Sequence, residues 1–189
     1  MPDVELRPEK GNYVIAMGRI CPEKGFHLAV DAATRAGVPL ILAGTVFGYP
    51  AHHDYFANVL QPKLNGMHRF IGPVGVRRKE ELLAGAQCLL IPSLVSETSS
   101  LVAMEALGCG TAVVAFRVGA LPEIVVEGET GYLVDTPEQM ADAIHSARQL
   151  SPSLCRENAI AHFSAQNMID RYFKLYEELA RAPAARKVA

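Results

Sequence analysis

The chain has 189 residues, 50% hydrophobic and 20% charged, with a formal net charge of −2. That near-neutral balance excludes a basic nucleic-acid face, and no apolar run approaches the roughly 20 residues of a membrane span. Cys21, Cys88, Cys109 and Cys155 stand far apart, which excludes a zinc-finger spacing or a disulfide framework and fits a reduced, cytoplasmic setting.

In chain order, residues 1–11 are polar and Pro-bearing and read as a linker. Strands and helices then alternate. Tyr13–Met17 predicts a strand, Gly25–Ala36 a helix ended by Gly37, and Pro39–Ala43 a strand. A Gly/Pro/His loop leads to a helix over 54–64, a short strand at 69–71 and a helix over 79–86. The apolar run Cys88–Ile91 reads as a buried strand, the residues after Ser100 as a helix, and Thr111–Ala115 as a strand. A helical turn or two at 121–126 and a strand at Gly131–Val134 follow, then helices over 137–150, 152–163 and 165–180 and a frayed tail over 181–189. Six short apolar strands separated by helices predict an α/β fold: a doubly wound, Rossmann-like six-stranded parallel sheet with extra C-terminal helices, one domain over 12–180. In such sheets ligands bind beyond the carboxyl ends of the strands.

Glu97 and Glu105 lie eight positions apart, one in a strand-to-helix loop and one inside the following helix. Helical side chains tilt toward the helix start, so Glu105 leans toward the loop of Glu97. Between them the first helix amides lack intrahelical partners and suit an anion. A glutamate near a helix start ordinarily caps it, and one in mid-helix is ordinarily solvated. Glu105 departs from that pattern, since the stretch Leu101 to Leu107 around it is otherwise apolar and small. It calls for a ligand or a buried partner. Two carboxylates about a phosphate-binding helix start suit a sugar nucleotide.

The first βα loop, Gly18-Arg19-Ile20-Cys21-Pro22-Glu23-Lys24-Gly25, brings two cations to the same edge. Gly18 reads as a tight turn and Gly25 as the helix opening; Arg19 offers a planar fork to phosphate and Lys24 a point charge. Arg117, after the fifth strand, reads as a partner of phosphate or of Glu123, with the pairing to Glu123 favoured. No GxxxxGK or GxGxxG loop occurs, which sets ATPase and dinucleotide oxidoreductase readings aside. His52 and His53, with only Asp54 beside them, read as a solvated loop lacking a ligand from a second element. No Asp-x-Asp pair is present, so no metal ligand is predicted.

Together these loops resemble the C-terminal, donor-binding domain of the family 4 retaining glycosyltransferases, of two-domain GT-B architecture. The matching pieces are Gly18-Arg19…Lys24-Gly25, Phe70-Ile71-Gly72, Ile91-Pro92-Ser93, Glu97…Leu101-Val102…Glu105-Ala106, Cys109-Gly110, Gly119…Leu121-Pro122-Glu123 and Gly131-Tyr132-Leu133-Val134. The resemblance covers about 12–176. It implies catalytic roles for Arg19 and Lys24 at the donor diphosphate and for Glu97 at the donor sugar. Glu105 would take the ribose, the backbone near Leu101 and Val102 the phosphate, and the segment at Val74 the nucleobase; Gly18, Ser99 and Ser100 fall in the same loops. Ser99-Ser100 stands where the family usually has Phe-Gly, which bears on donor preference.

What the resemblance implies is a metal-independent glycosyltransferase whose partners are a nucleotide-sugar donor and an N-terminal acceptor-binding domain outside this sequence. Nucleic acid is not among the partners, and no transmembrane segment is expected, although peripheral membrane contact of a full-length enzyme is compatible with the family. The isolated domain is expected to be inactive and to need no cofactor beyond its donor substrate. The alternative is a non-catalytic nucleotide- or sugar-phosphate-binding module of the same fold.

Overall fold

The computed structural model describes residues 2–181, so the calls on Met1 and on 182–189 of the tail lie outside the described residues. Strands β1 (Val14–Arg19), β2 (Leu40–Thr45), β3 (Arg69–Phe70), β4 (Cys88–Ile91), β5 (Ala112–Phe116) and β6 (Gly131–Val134) form one sheet, ordered β3-β2-β1-β4-β5-β6. Every pairing is parallel. The central strands are buried on both faces, which is why β4 reads Cys-Leu-Leu-Ile without alternation.

Helices α1 (Phe26–Ala36) and α6 (Pro137–Ala147) pack together, and α4 (Leu101–Gly108) packs with α3 (Val76–Gly85) and α7 (Pro152–Phe163). The remaining α-helices are α2 (Pro50–Tyr55), which runs on through a π-helical stretch at Phe56–Leu60 and a 3-10 turn at Gln61–Lys63, the single turn α5 (Leu121–Ile124) and α8 (Ala165–Arg181). Ile15, Leu42, Leu83, Leu89, Leu107, Val113, Leu121 and Ile144 are fully buried between the layers. Helix α8 buries none of its residues.

Three local readings are corrected. Gly18 is no turn: Gly18 and Arg19 continue β1 and pair with Gly44 and Thr45. His52 and His53 lie in helix rather than loop, because Pro50 occupies the first turn, where its missing N–H costs nothing. The linker at 2–11 has neither helix nor strand, yet it is docked. Arg156 donates to the carbonyls of Val4 and Gly108, Gly11 N donates to Gly85 O, and Lys10 Nζ donates to Ala84 O and Thr111 Oγ1.

Candidate functional site

Strand order reverses between β1 and β4, so the loops after those strands diverge and leave a crevice at their carboxyl ends. The loop after β1 is short and held. A 3-10 turn over Pro22–Lys24 ends at Gly25, whose φ of 62° is left-handed and which caps α1. A Cβ there would collide with the carbonyl oxygen of Pro92, in the loop after β4. Leu94 N donates to Glu23 O at 2.8 Å, so the two loops are joined across the crevice.

The loop of Glu97 is held from the far side as well. Gly119, at φ 56°, lies flush against the main chain of Glu97, and a Cβ there would meet its N and O. Ala120 N donates to Glu97 O at 2.7 Å. Glu97 is thus fixed by its backbone, and its side chain accepts from Lys24 Nζ at 2.5 Å. The pair is only modestly exposed, 23% for Lys24 and 11% for Glu97.

A second ion pair lies along the same edge. Glu105, one turn into α4, accepts from Lys79 Nζ of α3 at 2.5 Å. The exception in the otherwise apolar helix therefore has a charged partner, which the sequence does not single out. Lys79 sits in the run Arg77-Arg78-Lys79-Glu80-Glu81, indistinguishable there from a solvated face.

Two cavities meet at Arg19. A groove of about 430 Å³ is lined by Gly18, Arg19, Val74, Lys79, Leu101, Val102 and Glu105. A pocket of about 360 Å³ is lined by Arg19, Lys24, Glu97, Ser96 and Thr98 together with Cys21, Glu23 and His52. Of the ten residues singled out, eight line these two spaces. Ser99 and Ser100 stand apart. Ser99 lines a different cavity of about 460 Å³, beside Asn158 and His162. Ser100 is buried as the N-cap of α4, with no side-chain cap bond, at φ −106°. That φ suits any L residue, so a serine there strains nothing. The helix start leaves the Leu101 and Val102 amides without intrahelical acceptors, as an anion site requires.

Thr45, the last residue of β2, and Phe47, just beyond it, also line the groove, and nothing in their local sequence marks them. Arg117 turns away: its Nη2 donates to Leu133 O at 3.0 Å and lies 3.9 Å from Glu127, not Glu123.

The model for Glycosyl transferases group 1 matches residues 1–160. This chain belongs to that family. A curated relative, the D-inositol 3-phosphate glycosyltransferase of Acidothermus cellulolyticus, is 33% identical over 190 residues, covering 90% of this chain and 42% of that protein. Among solved structures, AviGT4, a glycosyltransferase involved in avilamycin A biosynthesis, is 27% identical with a TM-score of 0.75, covering 93% of this chain and 53% of that one. HepE of Anabaena, solved with UDP-glucose, is 23% identical with a TM-score of 0.75 and covers 88% of this chain and 49% of its own, a likeness of fold. The chain thus spans about half the length of these proteins. Its fold is that of the C-terminal domain of GT-B group 1 glycosyltransferases, and the described helices include none long and apolar enough to cross a membrane.

Proposed function

We propose that this chain is the donor-binding half of a retaining, metal-independent glycosyltransferase that takes a nucleoside diphosphate sugar. The observation that carries the reading is the position of Arg19, which lines both the groove holding Glu105 and the pocket holding Lys24 and Glu97. A ligand spanning the two spaces passes its diphosphate by Arg19 and the start of α4, its ribose by Glu105 and its sugar by Glu97. The base falls at Val74. The relatives' names agree with a sugar-transfer role.

As the bond from the anomeric carbon to the diphosphate lengthens, the bonding electrons leave with the diphosphate. Arg19 and Lys24 stand where that negative charge grows, and such preorganised stabilisation is ordinarily the largest catalytic contribution. The sugar becomes oxocarbenium-like, and Glu97 holds its hydroxyls. An acceptor hydroxyl must come from another domain. Positioning accounts for about 7–11 kcal/mol of such a barrier, so the 189-residue chain alone transfers no sugar; measurable turnover by it would refute this.

The direct test is calorimetric titration with UDP, GDP and ADP in the presence of chelator. At least one diphosphate binds without added metal. Binding that required magnesium or manganese would overturn the proposal.

A further inference from the structure

Along the pocket that Arg19, Lys24 and Glu97 also line, three side chains of metal-binding type converge from two elements. Cys21 and Glu23 come from the turn after β1, and His52 from α2. One ligand atom from each lies within 4.8 Å of the other two. Cys21 is a free thiol, 2% exposed, whereas Glu23 is exposed. Helix α2 is held in place by Tyr55, whose hydroxyl accepts from His27 N at 3.1 Å. The Tyr49 ring packs edge-on against His52, ring centroids 5.0 Å apart. The His52 Nδ1 atom is sequestered with no hydrogen-bond partner.

We propose that Cys21, Glu23 and His52 form a three-ligand site for a soft divalent ion of the zinc class, clipping the turn that carries Lys24 to α2. With one sulfur, one nitrogen and one oxygen, ligand atoms around tetrahedral zinc stand about 3.3–3.7 Å apart, given bonds of about 2.0–2.3 Å. Closing from 4.8 Å needs shifts of an ångström or so, which the exposed Glu23 can supply by rotation. One thiolate, one imidazole and one carboxylate suit zinc or cobalt. Magnesium and calcium take oxygen ligands. One thiolate and one carboxylate together neutralise the charge of a divalent ion. The three residues also line the pocket shared with Arg19, Lys24 and Glu97. This inference does not depend on the donor assignment.

The test uses the whole chain, stripped with chelator, then titrated with zinc and separately with cobalt. The expected result is one equivalent bound, a higher thermal midpoint with zinc, and a cobalt spectrum carrying thiolate charge-transfer and tetrahedral bands. Glu23→Gln and His52→Ala should weaken zinc binding by more than the roughly 10–100-fold that loss of an outer-shell partner costs. Cys21→Ser should abolish the thiolate band, and His53→Ala should change neither. Because Cys21 is buried and its variant can fail to fold, the exposed Glu23 and half-exposed His52 decide the matter. No stoichiometric zinc binding by the unaltered chain, a cobalt spectrum without thiolate character, or full binding by Glu23→Gln and His52→Ala would each overturn the assignment. Magnesium should not compete.

Discussion

Lys24 Nζ lies 2.5 Å from Glu97 Oε1, bridging the loops that follow β1 and β4. The cation expected at the donor diphosphate and the carboxylate expected at the donor sugar are thus joined before any ligand arrives. A donor must come between them or share both.

This predicts opposite effects for the two partners. Lys24→Ala removes a phosphate cation and should weaken nucleoside diphosphate binding by about tenfold or more, the worth of a charge-assisted contact of roughly 1.5–3 kcal/mol. Glu97→Gln releases Lys24 and should leave that affinity unchanged or somewhat tighter, while lowering transfer in a full-length enzyme. Calorimetry on both variants checks this. A matched loss of affinity in both would show that Glu97 reaches the nucleotide.

At the other pair, Glu105→Gln should lower nucleoside diphosphate affinity by about tenfold or more, because the ribose diol loses a charged acceptor. Lys79→Met leaves Glu105 without its cation and should cost less. Binding to Glu105→Gln that equals the unaltered chain, at unchanged melting temperature, would leave Glu105 a structural partner of Lys79 and nothing more.

Gly119 never needs to meet the donor, yet Gly119→Ala should impair transfer. The left-handed φ and the collision with the Glu97 main chain together cost about 1–3 kcal/mol. Thermal denaturation should show that loss, and nucleoside diphosphate binding should survive in the fraction that remains folded. An unchanged melting temperature would mean the loop has room to give.

Lys10 supplies a pH test. Burial pushes its pKa down to about 8, below the ordinary unfolded value of about 10.4. The folded chain therefore gives up this proton earlier than the unfolded chain. The resulting penalty is fully present below pH 8 and is relieved as pH rises from there toward the unfolded value. The buried thiols act in the opposite sense, since burial raises Cys109 to about 12 and Cys155 to about 11. The Lys10 contribution is isolated by comparing denaturant midpoints of the unaltered chain and Lys10→Met between pH 7 and pH 8.5. The unaltered chain should gain stability relative to the variant across that range; a constant difference would mean that Lys10 does not titrate there.

The sheet was legible because its signals are local. Continuous apolar runs locate β4 and β6 at their observed bounds, and Ser151-Pro152 marks the start of α7. Errors arose where one residue type has two uses. Pro50 reads as a loop breaker but opens a helix, and Gly18 reads as a turn but completes a strand beside Gly44. The site was legible where residues share a loop, as Arg19 and Lys24 do. It was not legible where partners lie far apart in sequence. Lys79 and Glu105 are 26 positions apart, and His52 meets Cys21 only because α2 packs on the turn after β1. No periodicity reports such meetings.

With both lysines engaged by carboxylates, the resting edge already carries its own counter-ions. Bare phosphate offers nothing to replace the lysines at the glutamates, and a free sugar offers nothing to replace the glutamates at the lysines. A molecule bearing hydroxyls and a diphosphate at the right separation satisfies all four groups together. On the donor-binding reading proposed above, recognition at such an edge is a coincidence requirement: a ligand carrying only an anion or only hydroxyls replaces one partner of an ion pair and strands the other.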